Sequence, residues 1–154
     1  MRKVLSTLVL TILFFISLNS AGYSQATVVI GKLYTKADAN QTYGAVVSSV
    51  TINTQILLNA IEKSPGYIMF NIINGQLTIL NGKRGVLFST DKLTTAVPAR
   101  TVFHIFSASK VQELITLGGN STFTTIELRP NNVLTVTSNT ATLEGSLQCP
   151  PICP

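Results

Sequence analysis

The sequence predicts an α+β protein, an antiparallel sheet with two short helices arranged as a tandem βαββ duplication. Three observations lead to this fold class. β-branched and aromatic runs with two-residue alternation are separated by turn dipeptides, as is typical of antiparallel strands. Two stretches have apolar residues at helical spacing, each behind a capping residue. The order of strand, capped helix and hairpin then occurs twice along the chain.

The first unit begins after a short strand at 28–34 and a polar loop at 35–43. A β-branched run at 46–52 predicts a strand. Asn53 is a suitable N-cap for a helix over 54–63, whose apolar side chains fall on one face. Pro65 and Gly66 end that helix.

The clearest local signal is the dipeptide Asn74-Gly75 between strand-like runs at 67–73 and 76–80. Asn-Gly suits a type I′ turn, in which both central residues have positive φ. A β-hairpin is therefore expected here. A further strand is expected at 86–88, and 89–100 is interpreted as a linker.

The second unit repeats this order. It comprises a strand at 101–106, a helix at 110–117 capped by Ser109 in a capping box with Gln112, and a hairpin of 122–129 with 133–137. The two caps lie 56 residues apart. We interpret 44–82 and 99–138 as repeated βαββ units.

Packing of two such units places both helices on one side of a merged antiparallel sheet, because one helix cannot cover both faces of a sheet. The opposite face is then expected to carry threonines, and to stay solvated or meet a partner. The threonines expected on that face are Thr122, Thr124, Thr135 and Thr137.

The N-terminus has the pattern of a cleavable signal peptide over residues 1–26. Arg2 and Lys3 precede an apolar run of about 15 residues, shorter than the ~20 that span a bilayer. Ser24 and Ala26 supply the small side chains of a cleavage site. We expect a single domain over 27–140 with a tail over 141–154, secreted or periplasmic, with a cell-surface location as a further option, and without a transmembrane segment after cleavage.

Charge limits the class of partner. Loss of Arg2 and Lys3 leaves nine basic and six acidic residues, a net charge of about +3, and the basic residues are scattered. Nucleic-acid binders usually gather such residues on one stripe, so no nucleic-acid partner is expected. Only 11% of the residues are charged, against the usual ~25%, which permits association with a protein or a second copy of the chain.

The two cysteines, Cys149 and Cys153, lie in a proline-rich tail. Export to an oxidising compartment predicts a disulfide. Extended proline-rich backbone would separate the two Cα atoms by about 12 Å, whereas a disulfide needs them within about 7 Å. An internal bond therefore requires a turn, for which a cis proline is one route. A bond between chains, free thiols and a metal site stay open as alternatives.

No residue pattern indicates a catalytic, metal or cofactor site. His104 is the only histidine, so a triad would have to use it, but no nucleophile motif accompanies it. Ser107 and Lys110 match Ser-x-x-Lys without the partner motifs of serine acyl-enzymes, and helix capping explains them better. No cofactor or metal is expected, because the six acids are isolated and the cysteine spacing is unlike zinc sites.

We therefore expect an exported, non-catalytic structural or interaction protein of the envelope or extracellular space that acts by protein contact or self-assembly. The alternative is a binder of a small ligand or an inhibitor, with its site on the open sheet face or between the units. A small hydrolase using His104 or Ser107 is the third hypothesis.

Overall fold

The computed structural model describes residues 28–91, 97 and 101–150. The expected signal peptide, most of the linker after residue 91 and Cys153 lie outside these residues. Within the described ranges the chain forms three α-helices, a short 3₁₀-helix and ten strands. The helices are α1 (Lys36–Tyr43), α2 (Thr54–Lys63) and α3 (Ala108–Leu117), and the 3₁₀-helix is Pro130–Asn132. The strands are β1 (Lys32–Thr35), β2 (Ser48–Asn53), β3 (Tyr67–Ile73), β4 (Gln76–Asn81), β5 (Val86–Ser89), β6 (Phe103–Ser107), β7 (Phe123–Arg129), β8 (Val133–Ser138), β9 (Ala141–Glu144) and β10 (Leu147–Cys149).

The strands form two five-stranded sheets, with every neighbouring pair antiparallel. Sheet A has the order β1-β9-β8-β7-β2, and sheet B the order β10-β6-β3-β4-β5. The predicted α+β class is confirmed. The single merged sheet is not found, because the two hairpins lie in different sheets rather than side by side.

The two halves of the chain exchange their first strands. One half runs β2, α2, β3, β4, β5 and the other runs β6, α3, β7, β8, β9. Strand β2 pairs with β7 of the second half, and β6 pairs with β3 of the first half. The two exchanged strands pair in the same register. In each, the residue just before a helix lies opposite the first residue of a hairpin: Asn53 opposite Phe123, and Ser107 opposite Tyr67.

The main core joins the inner faces of both sheets with α2 and α3. Helix α2 places Leu57 and Ala60 in it, and α3 places Val111 and Leu114 there. The strands add alternate side chains, as the two-residue period of β-structure requires. They include Ile52, Ile68, Phe70, Leu77, Ile79, Phe106, Ile126, Leu134, Val136 and Leu143.

The outer faces of the two sheets differ in polarity. The outer face of sheet B is apolar, and a second cluster that includes Met69, Leu80 and Phe103 is covered by Ile30 and Val97. The outer face of sheet A is polar, and α1 lies beside it, in contact with β1 and β9. The candidate site lies on the polar outer face of sheet A.

Helix α1 occupies the segment predicted as a loop, and that prediction is wrong. The segment lacks an apolar stripe, and Ala39 is its one buried residue. Its helix is set by local polar contacts instead. The Thr35 hydroxyl accepts from the Asp38 N–H at 3.1 Å and donates to the Asp38 carboxylate at 2.7 Å, which caps the first turn.

Helix α3 begins two residues earlier than predicted. Ser107, not Ser109, is its N-cap residue. The Ser107 side chain makes no capping bond, because its Oγ accepts from the Ile30 N–H at 2.7 Å. The tertiary contact with the N-terminal segment therefore replaces the local capping box that the sequence suggested.

Helix α2 and the first hairpin follow the sequence closely. The Asn53 side chain accepts from the Gln55 N–H at 2.8 Å, and the helix covers Thr54–Lys63 as expected. Asn74 and Gly75 have φ values of 51° and 74°, as a type I′ turn requires. None of the described helices has the length and apolarity needed to cross a membrane.

Strands β9 and β10 were not predicted from the sequence, and they lie in the segment interpreted as the tail. Strand β9 pairs with β8 and β1, which extends sheet A. Strand β10 pairs with β6 at the edge of sheet B. Strands within residues 141–149 therefore belong to both sheets.

Candidate functional site

His104 is buried in β6 and contacts polar groups rather than an open cleft. Its exposed fraction is 3%. As the alternation predicts, Phe103 and Ile105 lie in the outer cluster of sheet B, whereas Phe106 lies in the main core. The His104 Nδ1 lies 2.9 Å from the Ser146 Oγ. Burial lowers the pKa of His104, and the Asn132 side chain and the Glu144 carboxylate oppose that shift.

Ser107 and Lys110 do not join His104 in a site. Residues 104 and 107 fall on opposite faces of β6, because side chains alternate along a strand. Ser107 contacts the Ile30 backbone, as described above. The Lys110 Nζ pairs with the Glu113 carboxylate at 2.7 Å on the surface of α3. The three residues weighed for hydrolysis therefore lie in three different environments.

Cys149 ends β10 and is fully buried in the outer cluster of sheet B. The described part of the chain contains no free cysteine. The Cys149–Pro150 peptide bond is cis. Cys153 lies outside the described residues, so its predicted pairing with Cys149 stays a prediction.

The threonines predicted to share one face are divided between two. Thr124 points to the core, where its hydroxyl lies 2.9 Å from that of Thr54. Thr135 and Thr137 point to the outer face of sheet A, but they are buried rather than solvated. Thr122 precedes β7 and is exposed. The predicted grouping of these four threonines on one solvated face is therefore wrong, because Thr124 faces the core and Thr135 and Thr137 are buried in hydrogen bonds with Glu127 and Arg129.

A buried ion pair forms the centre of that outer face. The Arg129 Nη2 donates to the Glu127 Oε2 at 2.8 Å, and the two side chains are 0% and 5% exposed. The hydroxyls of Thr135 and Thr137 each donate to the same oxygen at 3.0 Å. Three donors thus fix one oxygen of a buried carboxylate, as burial of a charge requires.

Arg129 also attaches the end of α1 to the sheet. Its Nη1 donates to the Asn40 Oδ1 at 2.9 Å and to the Gly44 carbonyl at 2.6 Å. Its Nε donates to the Thr135 hydroxyl at 3.0 Å. The guanidinium therefore joins β7, β8 and α1 through one planar group.

A cleft opens between α1 and the outer face of sheet A, beside this pair. Its volume is about 510 Å³. Glu127 and Thr125 of β7 and Ser49 of β2 line it from the sheet, and Lys36 and Asn40 line it from α1. We call this the α1 cleft.

This site was not predicted from the sequence, because the six acids were interpreted as isolated. A signal was present, since Glu127 and Arg129 are two residues apart on a predicted strand and must share a face. Thr135 and Thr137 have the same spacing in the partner arm of the predicted hairpin. The contribution of α1 could not be foreseen, because its segment was taken for a loop.

The edges of the sheets form a second candidate surface. Strand β1 carries Lys32, β10 has three residues and is followed by Pro150, and the β4–β5 ladder is irregular next to β5. Such features discourage pairing with another chain. Strand β2 has six residues without charge or proline, and its one neighbour in the described structure is β7.

The chain segment that contains β2 is also uncharged, although Glu127 of β7 lies opposite Ser49, and Lys36 lines the α1 cleft together with both. No acidic or basic residue occurs between Asp38 and Glu62. Val47 and Phe123 lie close to the strand and are 69% and 59% exposed. Strand β2 is therefore the least protected of the four described sheet edges.

Comparison of this chain with protein-family models, curated proteins and solved structures found no match.

Proposed function

We propose that this protein is an exported, non-catalytic structural protein that assembles by pairing β2 with β2 of a second copy. The observation that carries the proposal is the uncharged, unprotected edge of β2 in sheet A. An edge strand presents a row of N–H and C=O groups that another strand can pair with. The second copy supplies a strand of the same length and polarity.

The backbone geometry identifies the groups that face outward. The Thr54 N–H donates to the Thr122 carbonyl at 2.9 Å. Hydrogen-bonded positions alternate along an antiparallel ladder, so Ile52 and Val50 also pair with β7. The N–H and C=O groups of Thr51 and Ser49 then point away from β7, toward the free edge.

The other half of the molecule supports the proposal because its equivalent edge is occupied. Strand β6 holds the position in sheet B that β2 holds in sheet A. Ile105 and Thr51 are each two residues before a helix N-cap, and Leu147 of β10 opposes Ile105. An antiparallel strand from a second copy would occupy the same place beside Thr51.

This equivalence is also why we propose that the two halves arose as the internal repeat expected from the sequence. Helices α2 and α3 each have ten residues, and β3 and β7 each have seven. The added strand β10 is the feature that distinguishes the covered edge from the open one.

The composition of β2 suits pairing with itself. A two-fold axis at Thr51 places Thr51 opposite its own copy, Val50 opposite the second copy's Ile52, and Ser49 opposite the second copy's Asn53. Apolar residues then remain on the inner face and polar residues on the outer face. Cross-strand Thr–Thr and β-branched pairs each stabilise a sheet by about 0.2–1 kcal/mol.

The chemistry of the polar residues favours contact over catalysis. Burial keeps His104 out of bulk solvent, and the residues weighed with it lie elsewhere. We expect the predicted signal peptide to direct the protein to the envelope or outside the cell. The resulting sheet would run through both copies.

The test is the molar mass of the secreted protein by size-exclusion chromatography with light scattering, with and without reductant. We expect a dimer in both conditions, because the contact is backbone pairing. Thr51→Pro removes an outward N–H without affecting the β7 ladder, and Thr51→Lys places two cations opposite each other. Both variants should be monomers.

Thr51→Val is the matched control, because all three substitutions remove the Thr51–Thr125 hydroxyl contact of 3.0 Å. It should stay dimeric. A wild-type monomer at the highest soluble concentration would overturn the proposal. A dimer that survives in Thr51→Pro, with native circular dichroism, would place the contact elsewhere, and a dimer lost only on reduction would replace it with a cysteine link.

A further inference from the structure

We propose that the α1 cleft binds a neutral, hydroxyl-rich ligand such as a mono- or disaccharide, with the Glu127 carboxylate as the main acceptor. This is a second activity, separate from the proposed pairing of copies. The cleft is lined by side chains on the outer face of sheet A, whereas pairing uses the backbone groups at the edge of β2. Ser49 belongs to both, through its side chain in the cleft and its backbone at the edge. The two are therefore tested separately.

The two oxygens of the Glu127 carboxylate differ in their hydrogen bonds. Oε2 accepts three hydrogen bonds, from Arg129, Thr135 and Thr137. No donor among the described residues reaches Oε1. In the described structure, Ser138 Oγ is the one side-chain polar atom that is both fully buried and without a hydrogen-bond partner. Because Oε1 has no partner either, it is not fully buried and keeps contact with solvent. Since Glu127 lines the α1 cleft, this contact is with the cleft.

The Glu127 carboxylate is held in a fixed orientation. Glu127 is 4% exposed and Arg129 is 1% exposed, so neither side chain can reorient freely. The carboxylate is held by β7, β8 and the guanidinium before any ligand arrives. Such fixed polar groups give a binding site its orientation, at little entropic cost on association.

The charges around the cleft favour a neutral ligand. Arg129 neutralises Glu127, and Lys36 adds a cation to the lining of the cleft. A cationic ligand would be repelled by Lys36 and would find no net negative charge in the cleft to attract it. An anionic ligand would meet the free oxygen of a carboxylate. A neutral ligand that donates hydrogen bonds avoids both penalties.

The other residues that line the cleft suit a sugar. Ser49 and Thr125 provide hydroxyls, and Asn40 provides an amide, so the lining offers both donors and acceptors. Ala45 and Val46 give a small apolar surface beside them. Sugars present hydroxyls that both donate and accept, together with C–H faces. The volume of about 510 Å³ lies within the usual range for small-molecule sites, about 300–1,000 Å³.

The test is a two-dimensional ¹H–¹⁵N NMR titration of the mature protein with neutral sugars: glucose, galactose, mannose, N-acetylglucosamine and maltose. At least one sugar should shift the backbone amides of Ser49, Thr125 and Glu127 in a saturable manner. Inorganic phosphate and putrescine, as an anion and a cation, should leave these amides unchanged.

Three variants locate the contact. Ala45→Trp fills the cleft from an exposed position and should abolish the shifts. Ser49→Ala removes one hydroxyl and should weaken the apparent affinity about tenfold, the effect of losing one hydrogen bond. Thr122→Val removes an exposed hydroxyl outside the cleft and should bind as the wild type does.

Three results would overturn the proposal. One is the absence of saturable shifts with all five sugars. Another is a saturable response to phosphate or putrescine at the same amides. The third is sugar binding that persists in Ala45→Trp. None of them would decide the oligomeric state, which rests on Thr51.

Discussion

At the scale of single residues, His104 shows how burial turns a titratable group into a pH-dependent contribution to stability. The ring is buried against Ser146, Asn132 and Glu144, and burial is the dominant cause of its lowered pKa. The unfolded chain has a histidine pKa of about 6.5. Between the two pKa values the unfolded state binds a proton that the folded state does not.

This lowered pKa predicts that the free energy of unfolding falls as the pH drops below about 6.5. The contribution of neutral His104 is fully present above that pH. Its loss has a limiting slope of about 1.4 kcal/mol per pH unit for one proton. His104→Gln cannot titrate and should flatten this dependence. Urea unfolding at pH 7.5, 6.5 and 5.5 measures it, and equal pH slopes for the two proteins would contradict the assignment.

At the scale of elements, the Glu127–Arg129 pair links β7, β8 and α1. Arg129→Met should destabilise the protein by about 3–5 kcal/mol, because it leaves a buried carboxylate without its cation. The double variant Glu127→Leu, Arg129→Met should lose much less than the sum of its single variants. Urea unfolding of all four proteins gives the cycle, and simple additivity would show that the two charges are not coupled.

Local signals in the sequence predicted the elements that depend on neighbouring residues. Asn53 and the apolar spacing after it gave α2, and Asn74-Gly75 gave the hairpin. Helix α1 was missed because it has no apolar stripe and is attached through Arg129, 89 residues away from Asn40. Ser109 was taken for the cap of α3 because the contact of Ser107 with Ile30 is not visible in the sequence. Contacts between distant segments also built the α1 cleft.

At the scale of the whole molecule, the exchange of first strands determines what can fold alone. Strand β2 belongs to the first half of the chain but completes sheet A, and β6 belongs to the second half but lies within sheet B. Helices α2 and α3 contact each other and share one core with both sheets. Unfolding of either half would therefore remove strands from both sheets.

A single cooperative transition is therefore expected for the two sheets, even though the chain contains the same order of elements twice. Leu134→Ala in sheet A and Ile79→Ala in sheet B remove fully buried side chains and should each cost about 2–5 kcal/mol. Both should shift the whole transition, followed by circular dichroism and by hydrogen exchange of amides in both sheets. If Leu134→Ala lowered protection in sheet A while sheet B kept its wild-type protection, the halves would be independent. The exchanged strands would then be peripheral additions rather than the link that makes the two sheets one unit.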